Sequence, residues 1–168
     1  MRALPFLIAI LLITVPTPGF AQEPPELPPS DHKQVLSSNV LGVVAKWFNV
    51  EYERKGGPAA SMGVSASSFF IGEGDGSMRR ANAFVRFYPQ RGALSGIFIG
   101  LRGGMLWNRP FGNDNAAITA GIEIGKTRLL GPKKNVAIST GFGLDRAWHD
   151  GESTVIPNIR LFNLGIAF

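Results

Sequence analysis

An all-β fold, closed as an eight-stranded antiparallel up-and-down transmembrane β-barrel, is the class this sequence predicts, and three observations carry it. Past the first 34 residues no stretch sustains a helical period. Turn clusters break the chain at short intervals: "RKGGPA", "IGEGDGS", "PQRGA", "NRPFGNDN", "LLGPKKN" and "HDGEST". Between the clusters, large apolar residues occupy every second position and small or polar residues the positions between.

The first 21 residues, "MRALPFLIAILLITVPTPGFA", carry Arg2, an apolar run from Ala3 to Val15, helix-breaking Pro16 and Pro18, and small residues Gly19 and Ala21. This predicts a secretory signal cut after Ala21. The apolar run is shorter than the roughly 20 residues a spanning helix needs. Loss of that segment leaves 17 − 1 = 16 basic residues against 12 acidic, a net charge of +4. Basic residues scattered singly on an exported chain argue against nucleic acid as a partner. With no cysteine, disulfides, thiolate chemistry and a lipidated N-terminal cysteine are excluded. Residues 22–34, rich in proline and acids, have little to bury and read as a flexible leader holding a solvated His32.

The barrel is expected over residues 35–168. Its first strand is "VLSSNVLGVV", joined to the second by a very short turn near Ala45 and Lys46. In the second, Phe48, Val50 and Tyr52 oppose Asn49, Glu51 and Glu53; in the third, Met62, Val64, Ala66 and Phe70 oppose Ser61, Gly63, Ser65 and Ser67. The fourth sets Ala83, Val85 and Phe87 against Asn82, Phe84, Arg86 and Tyr88. The fifth sets Ile97, Ile99, Leu101 and Met105 against Phe98, Gly100, Arg102 and Gly104. The sixth has Ile118, Ile122 and Ile124 opposite Thr119, Gly121, Glu123 and Gly125, and the seventh Val136, Ile138, Phe142 and Leu144 opposite Ser139, Gly141, Gly143 and Asp145. The last alternates Phe162, Leu164, Ile166 and Phe168.

Which face points inward follows from residue size. The second set is dominated by Gly, Ser, Ala and Thr, too sparsely charged to solvate an outer wall. It suits the interior of about eight strands, which holds only side chains. Only 17% of residues are charged, against about 25% in a soluble domain. A greasy outer wall is tolerable in lipid, where a closed sheet satisfies every backbone hydrogen bond. Strands of about 9–11 residues span it. The location expected is therefore a bacterial outer membrane, with Trp107, Trp148, Phe87 and Phe168 near its interfaces. The final strand, closing on Phe168, resembles the C-terminal signal read by the barrel-assembly machinery.

In size and pattern the chain resembles the small eight-stranded outer-membrane barrels of the OmpA/OmpX type. More narrowly it is similar to an uncharacterised family of Gram-negative outer-membrane barrels, a domain of unknown function. The residues that carry this are "NVLG" at Asn39, "VEYERK" with Glu53 and Arg54, and "VRFYPQ" with Arg86, Phe87, Tyr88 and Pro89. The resemblance spans roughly Val35 to Phe168 and implies fold and location but no catalytic residues.

Parity sends Glu51, Glu53, Arg86, Arg102, Glu123 and Asp145 to the interior. Buried charges are costly unless paired, so Arg86 and Arg102 are expected to bridge these carboxylates as a structural plug rather than an ion path. Arg146 and Arg160 share parity with outward neighbours, where they could contact lipopolysaccharide phosphates. No cofactor, metal or protein partner is legible, and "GEGDGS", with Glu73 and Asp75, lacks a calcium loop's ligand order. Lys133 and Lys134 are expected in an ordinary charged turn. The function expected is structural or interactive. The alternative is a lipid A-modifying hydrolase or acyltransferase using His149 with Asp150, Glu152 and Ser153, a suggestive set in one loop that no regular element arranges.

Overall fold

Strand follows strand because every apolar alternation ends at a Gly, Pro or Asn cluster, and each pair closes as a hairpin. The computed structural model describes residues 31–40, 42, 46–70, 77–90, 92–108 and 116–168. Its elements are β1 (Gln34–Ser38), β2 (Trp47–Lys55), β3 (Ala60–Phe70), β4 (Ser77–Phe87), β5 (Gly96–Asn108), β6 (Ala116–Leu130), β7 (Val136–His149) and β8 (Glu152–Ala167). All neighbours are antiparallel in chain order, and β8 returns to β1 to close the barrel. The segments expected as signal and most of the leader, and the "GEGDGS" loop with Glu73 and Asp75, lie outside the described residues.

The faces divide by size. Among the described residues, large apolar side chains such as Met62, Val85, Leu101, Ile122, Leu144 and Ile166 are exposed on the outer wall. Inward positions carry Ser61, Ser65, Asn82, Thr119, Thr127 and Ser139, all buried. The apolar core is small. Val35, Tyr88, Ala93, Leu94, Phe98, Ala137 and Ala167 cluster with Leu129 at the end that holds the turns after β2, β4 and β6. The β4–β5 turn folds in to form it: the Ala93 N–H donates to the Pro58 carbonyl at 2.8 Å, and Leu94 takes a left-handed φ of 72° to reach the inside.

Two expectations need correction. β1 stops at Ser38 instead of running to Val44, because the Asn39 side chain, itself buried, accepts the Gly42 N–H at 2.9 Å and turns the chain out of the ladder. The connection to β2 is correspondingly longer than a tight turn; of its expected pair, Ala45 lies outside the described residues and Lys46 has a φ of 54°. Second, Phe162, Leu164, Ile166 and Phe168 all face outward as expected, but their parity does not carry back to Arg160. Ser139 pairs with Asn163 and Gly141 with Arg160, so one residue of β7 faces two of β8, Leu161 and Phe162. This is a β-bulge. Both bulge residues point outward, and every residue before them changes face relative to the frame set by Phe162 and Leu164.

At the N-terminal edge, His32 is partly covered instead of fully solvated, its Nε2 lying 2.8 Å from the Lys133 carbonyl. The Phe168 carbonyl accepts the N–H groups of Lys33 and Gln34 at 3.0 and 2.9 Å, and its N–H donates to the Gln34 carbonyl at 2.9 Å.

Candidate functional site: the charged interior and the cavity beside it

Arg86 is the centre of the interior. It sits on the inward face of β4, fully buried, and its guanidinium donates in three directions. Nε reaches Glu123 Oε1 at 2.6 Å; Nη1 reaches Glu51 Oε1 at 2.8 Å and Glu53 Oε2 at 2.5 Å; Nη2 reaches Glu51 Oε2 at 3.0 Å. Its Cζ lies 3.9 Å from the Phe84 ring centroid and 4.6 Å from that of Phe98. A planar fork with five N–H donors and two aromatic neighbours meets these demands in a way an ammonium could not.

Glycines make the room. Gly100 lies between Arg86 and Glu123 in the ladder. A methyl group there would fall 3.0 Å from Glu123 Cγ and 3.1 Å from Arg86 Cγ. Gly121 stands in the same relation to Arg102 and Asp145. The inward glycines therefore separate charged partners that lie one strand apart.

Around this hub, Glu53 also accepts from Ser61 Oγ at 2.5 Å and Tyr88 Oη at 2.6 Å. Asp145 binds Arg80 Nη1 at 2.6 Å. Arg102 contacts Glu123 at 3.4 Å and Asp145 at 3.5 Å. All six residues expected inside are brought together there. Two further members were not expected. Arg80 continues the inward parity of Asn82, Phe84 and Arg86 two residues earlier, a signal available to anyone extending that frame, while Arg79 beside it faces out.

Arg160 is the clear correction. Instead of an outward arginine able to meet lipopolysaccharide, it is buried, with Nη2 at 2.6 Å from Glu51 Oε2 and 3.3 Å from Glu123 Oε2. The bulge at Leu161–Phe162 turns it inward. The adjacency of two large apolar residues in "RLFN" was the available signal. Arg146 remains outside, donating to Ser153 Oγ at 2.8 and 3.1 Å, with its Cζ 5.9 Å from the Trp148 ring centroid. Of the loop constellation, His149 Nε2 is 3.1 Å from Asp150 Oδ2, whereas the Ser153 hydroxyl is taken up by Arg146.

Among the described residues four arginines (Arg80, Arg86, Arg102, Arg160) meet four carboxylates (Glu51, Glu53, Glu123, Asp145). The network is neutral in sum. Toward the loop end it gives way to a cavity of about 260 Å³, lined by Trp47, Phe69, Met78, Arg80, Arg102 and Ile156 among others. Among the described residues no group of His, Cys, Asp and Glu could hold a metal ion.

These features define a class: a small closed β-barrel with apolar residues outside, paired charges inside and one end stoppered by its own turn. No family model, curated protein or solved structure matches this chain.

Proposed function

We propose that this protein is an outer-membrane β-barrel of the bacterial envelope with a structural or interaction role, its interior filled rather than conducting. The observation that supports this most is the reversal of polarity. Among the described residues twenty-eight large apolar side chains are exposed while ten apolar residues are buried. Soluble monomers rarely expose contiguous apolar patches beyond a few hundred Å². Burying a Leu, Ile or Phe is worth about 1.5–3 kcal/mol, so leaving this wall in water would forfeit tens of kcal/mol. Acyl chains remove that cost, and closure of the sheet leaves few backbone groups unsatisfied in them. Exposed Trp107, Trp148, Phe87 and Phe168 near strand ends fit interfacial girdles. In this reading the neighbours are lipid and lipopolysaccharide, with Arg146 as a phosphate-facing candidate, and Phe168 serves recognition by the assembly machinery.

Export and membrane fractionation of the expressed chain, followed by reconstitution in phosphatidylcholine, test this reading. Recovery in the outer-membrane fraction and a heat-modifiable folded band are expected. A mature chain that stays folded and monodisperse in buffer without amphiphile overturns it.

A further inference from the structure

We propose that the loop-side cavity binds a small aromatic monocarboxylate, its carboxylate on Arg102 and Arg80 and its ring against Trp47 and Phe69. The site is interior, so the proposal does not depend on what surrounds the outer wall. Charge, register and size carry it.

The interior network is neutral in sum but not evenly so. Contacts of 2.5–2.8 Å tie Arg86 and Arg160 to Glu51, Glu53 and Glu123, two cations to three anions. Beside the cavity stand Arg80 and Arg102 with Asp145, two cations to one anion. Among the described residues the cavity lining includes both of these arginines and no acid. The cavity end of the network is therefore short of one negative charge.

Arg102 is where that shortage falls. Arg80 is committed to Asp145 at 2.6 Å, whereas the Arg102 side chain, 6% exposed, has contacts only at 3.4 Å to Glu123 and 3.5 Å to Asp145. Its Nε makes no hydrogen bond, and its one bond to the described residues is the long one from Nη1. A desolvated guanidinium with most of its donors unused is costly, and a carboxylate matches its planar fork with short charge-assisted bonds.

Register gives the cavity two layers. Asn49 pairs with Ser67 and Ser67 with Arg80; two residues nearer the loop end, Trp47 pairs with Phe69 and Phe69 with Met78. All six line the cavity. A polar floor thus lies under an apolar wall, which orders a ligand by its own polarity, anionic group down and apolar body up. Trp47 and Phe69 meet edge to face with centroids 5.8 Å apart. A third ring extends such a pair with the geometry that aromatic groups prefer, and the Met78 thioether adds a favourable sulfur contact. The volume of about 260 Å³ lies just below the usual small-molecule range of roughly 300–1,000 Å³. One ring with one carboxylate suits that space.

The test is a fluorine NMR titration of 4-fluorobenzoate against the expressed chain in phosphatidylcholine nanodiscs, with folding of each protein checked by heat modification and empty discs as the blank. Saturable binding is expected, displaced more readily by benzoate than by cyclohexanecarboxylate. The neutral 4-fluorobenzyl alcohol should show only non-saturating partition into lipid. R102Q should weaken the acid roughly tenfold or more, the size of a lost charge-assisted bond. S67F, which fills the cavity without touching a charge, should abolish saturation. D145N removes the one anion on the two arginines and should tighten binding several-fold, a gain that misfolding cannot imitate. Acid and alcohol behaving alike, R102Q binding as wild type does, or a folded D145N binding more weakly overturns the proposal. Membrane fractionation decides the outer-membrane reading separately, so either can fail while the other stands.

Discussion

Arg160 Nη2 lies 2.6 Å from Glu51 Oε2, a contact between strands that are not paired with each other and residues 109 apart in sequence. It exists because β8 holds two residues, Leu161 and Phe162, opposite one of β7. Breaking a buried pair by removing one partner costs about 3–5 kcal/mol, since the remaining charge stays desolvated. R160M should therefore lower stability by about that amount, read from urea unfolding in lipid vesicles. E51Q combined with R160M should cost less than the two single changes added together. Strict additivity would show that the pair is not coupled.

Arg86 and Arg102 should not be equivalent. R86M abandons three carboxylates with contacts of 2.5–3.0 Å, whereas R102M gives up contacts of 3.4 and 3.5 Å. R102M should lower the heat-modification temperature modestly, and R86M should lower it much further. Equal shifts for the two variants would argue against Arg86 as the hub.

Inward glycines should tolerate no side chain where a neighbour already fills the space. A methyl group at Gly125 would collide with the Phe98 ring and the Thr140 carbonyl, while one at Gly57 meets nothing within 4 Å. G125V should block folding and G57V should leave the unfolding midpoint within about 0.5 kcal/mol of wild type. Equal tolerance at both positions would contradict the packing described.

Leu94 sets two effects against each other. Its left-handed φ costs about 1–2 kcal/mol that glycine would recover, but its side chain is 1% exposed within the turn-end cluster. Emptying a buried leucine site costs about 2–5 kcal/mol. Burial wins, so L94G should be destabilised, with planar-bilayer conductance still absent because the charged plug remains in place. A stabilised L94G would mean the turn does not seal the barrel.

Phe168 offers a separation of two roles. Its backbone makes three hydrogen bonds to residues 33 and 34, while its side chain is exposed. F168A should keep closure and refold in vitro like wild type, yet assemble poorly in cells. Deletion of Phe168 should impair both. If F168A assembled normally in cells, the side chain would have no part in recognition by the machinery.

Sidedness was legible because it is local. Alternation from Asn82 through Tyr88, or from Ile118 to Gly125, assigns each side chain to a face without reference to any other strand. The same rule misled at Arg160, two residues before Phe162, because a bulge shifts the frame by one and only the ladder with β7 reveals it. Register was likewise illegible. Nothing in "VLSSNVLGVV" says that pairing stops at Ser38 until Asn39 is seen holding the Gly42 N–H.

By itself, then, the order of residues determined that this chain is a barrel of small and charged residues inside a greasy wall, since both facts are statements about neighbours two positions apart. Tertiary structure alone decided which carboxylate each arginine meets, where the bulge of β8 falls and how the β4–β5 turn stoppers one end. Those depend on the stagger between strands far apart in sequence, which is set when the sheet closes on itself and the sum of all its pairings selects one register.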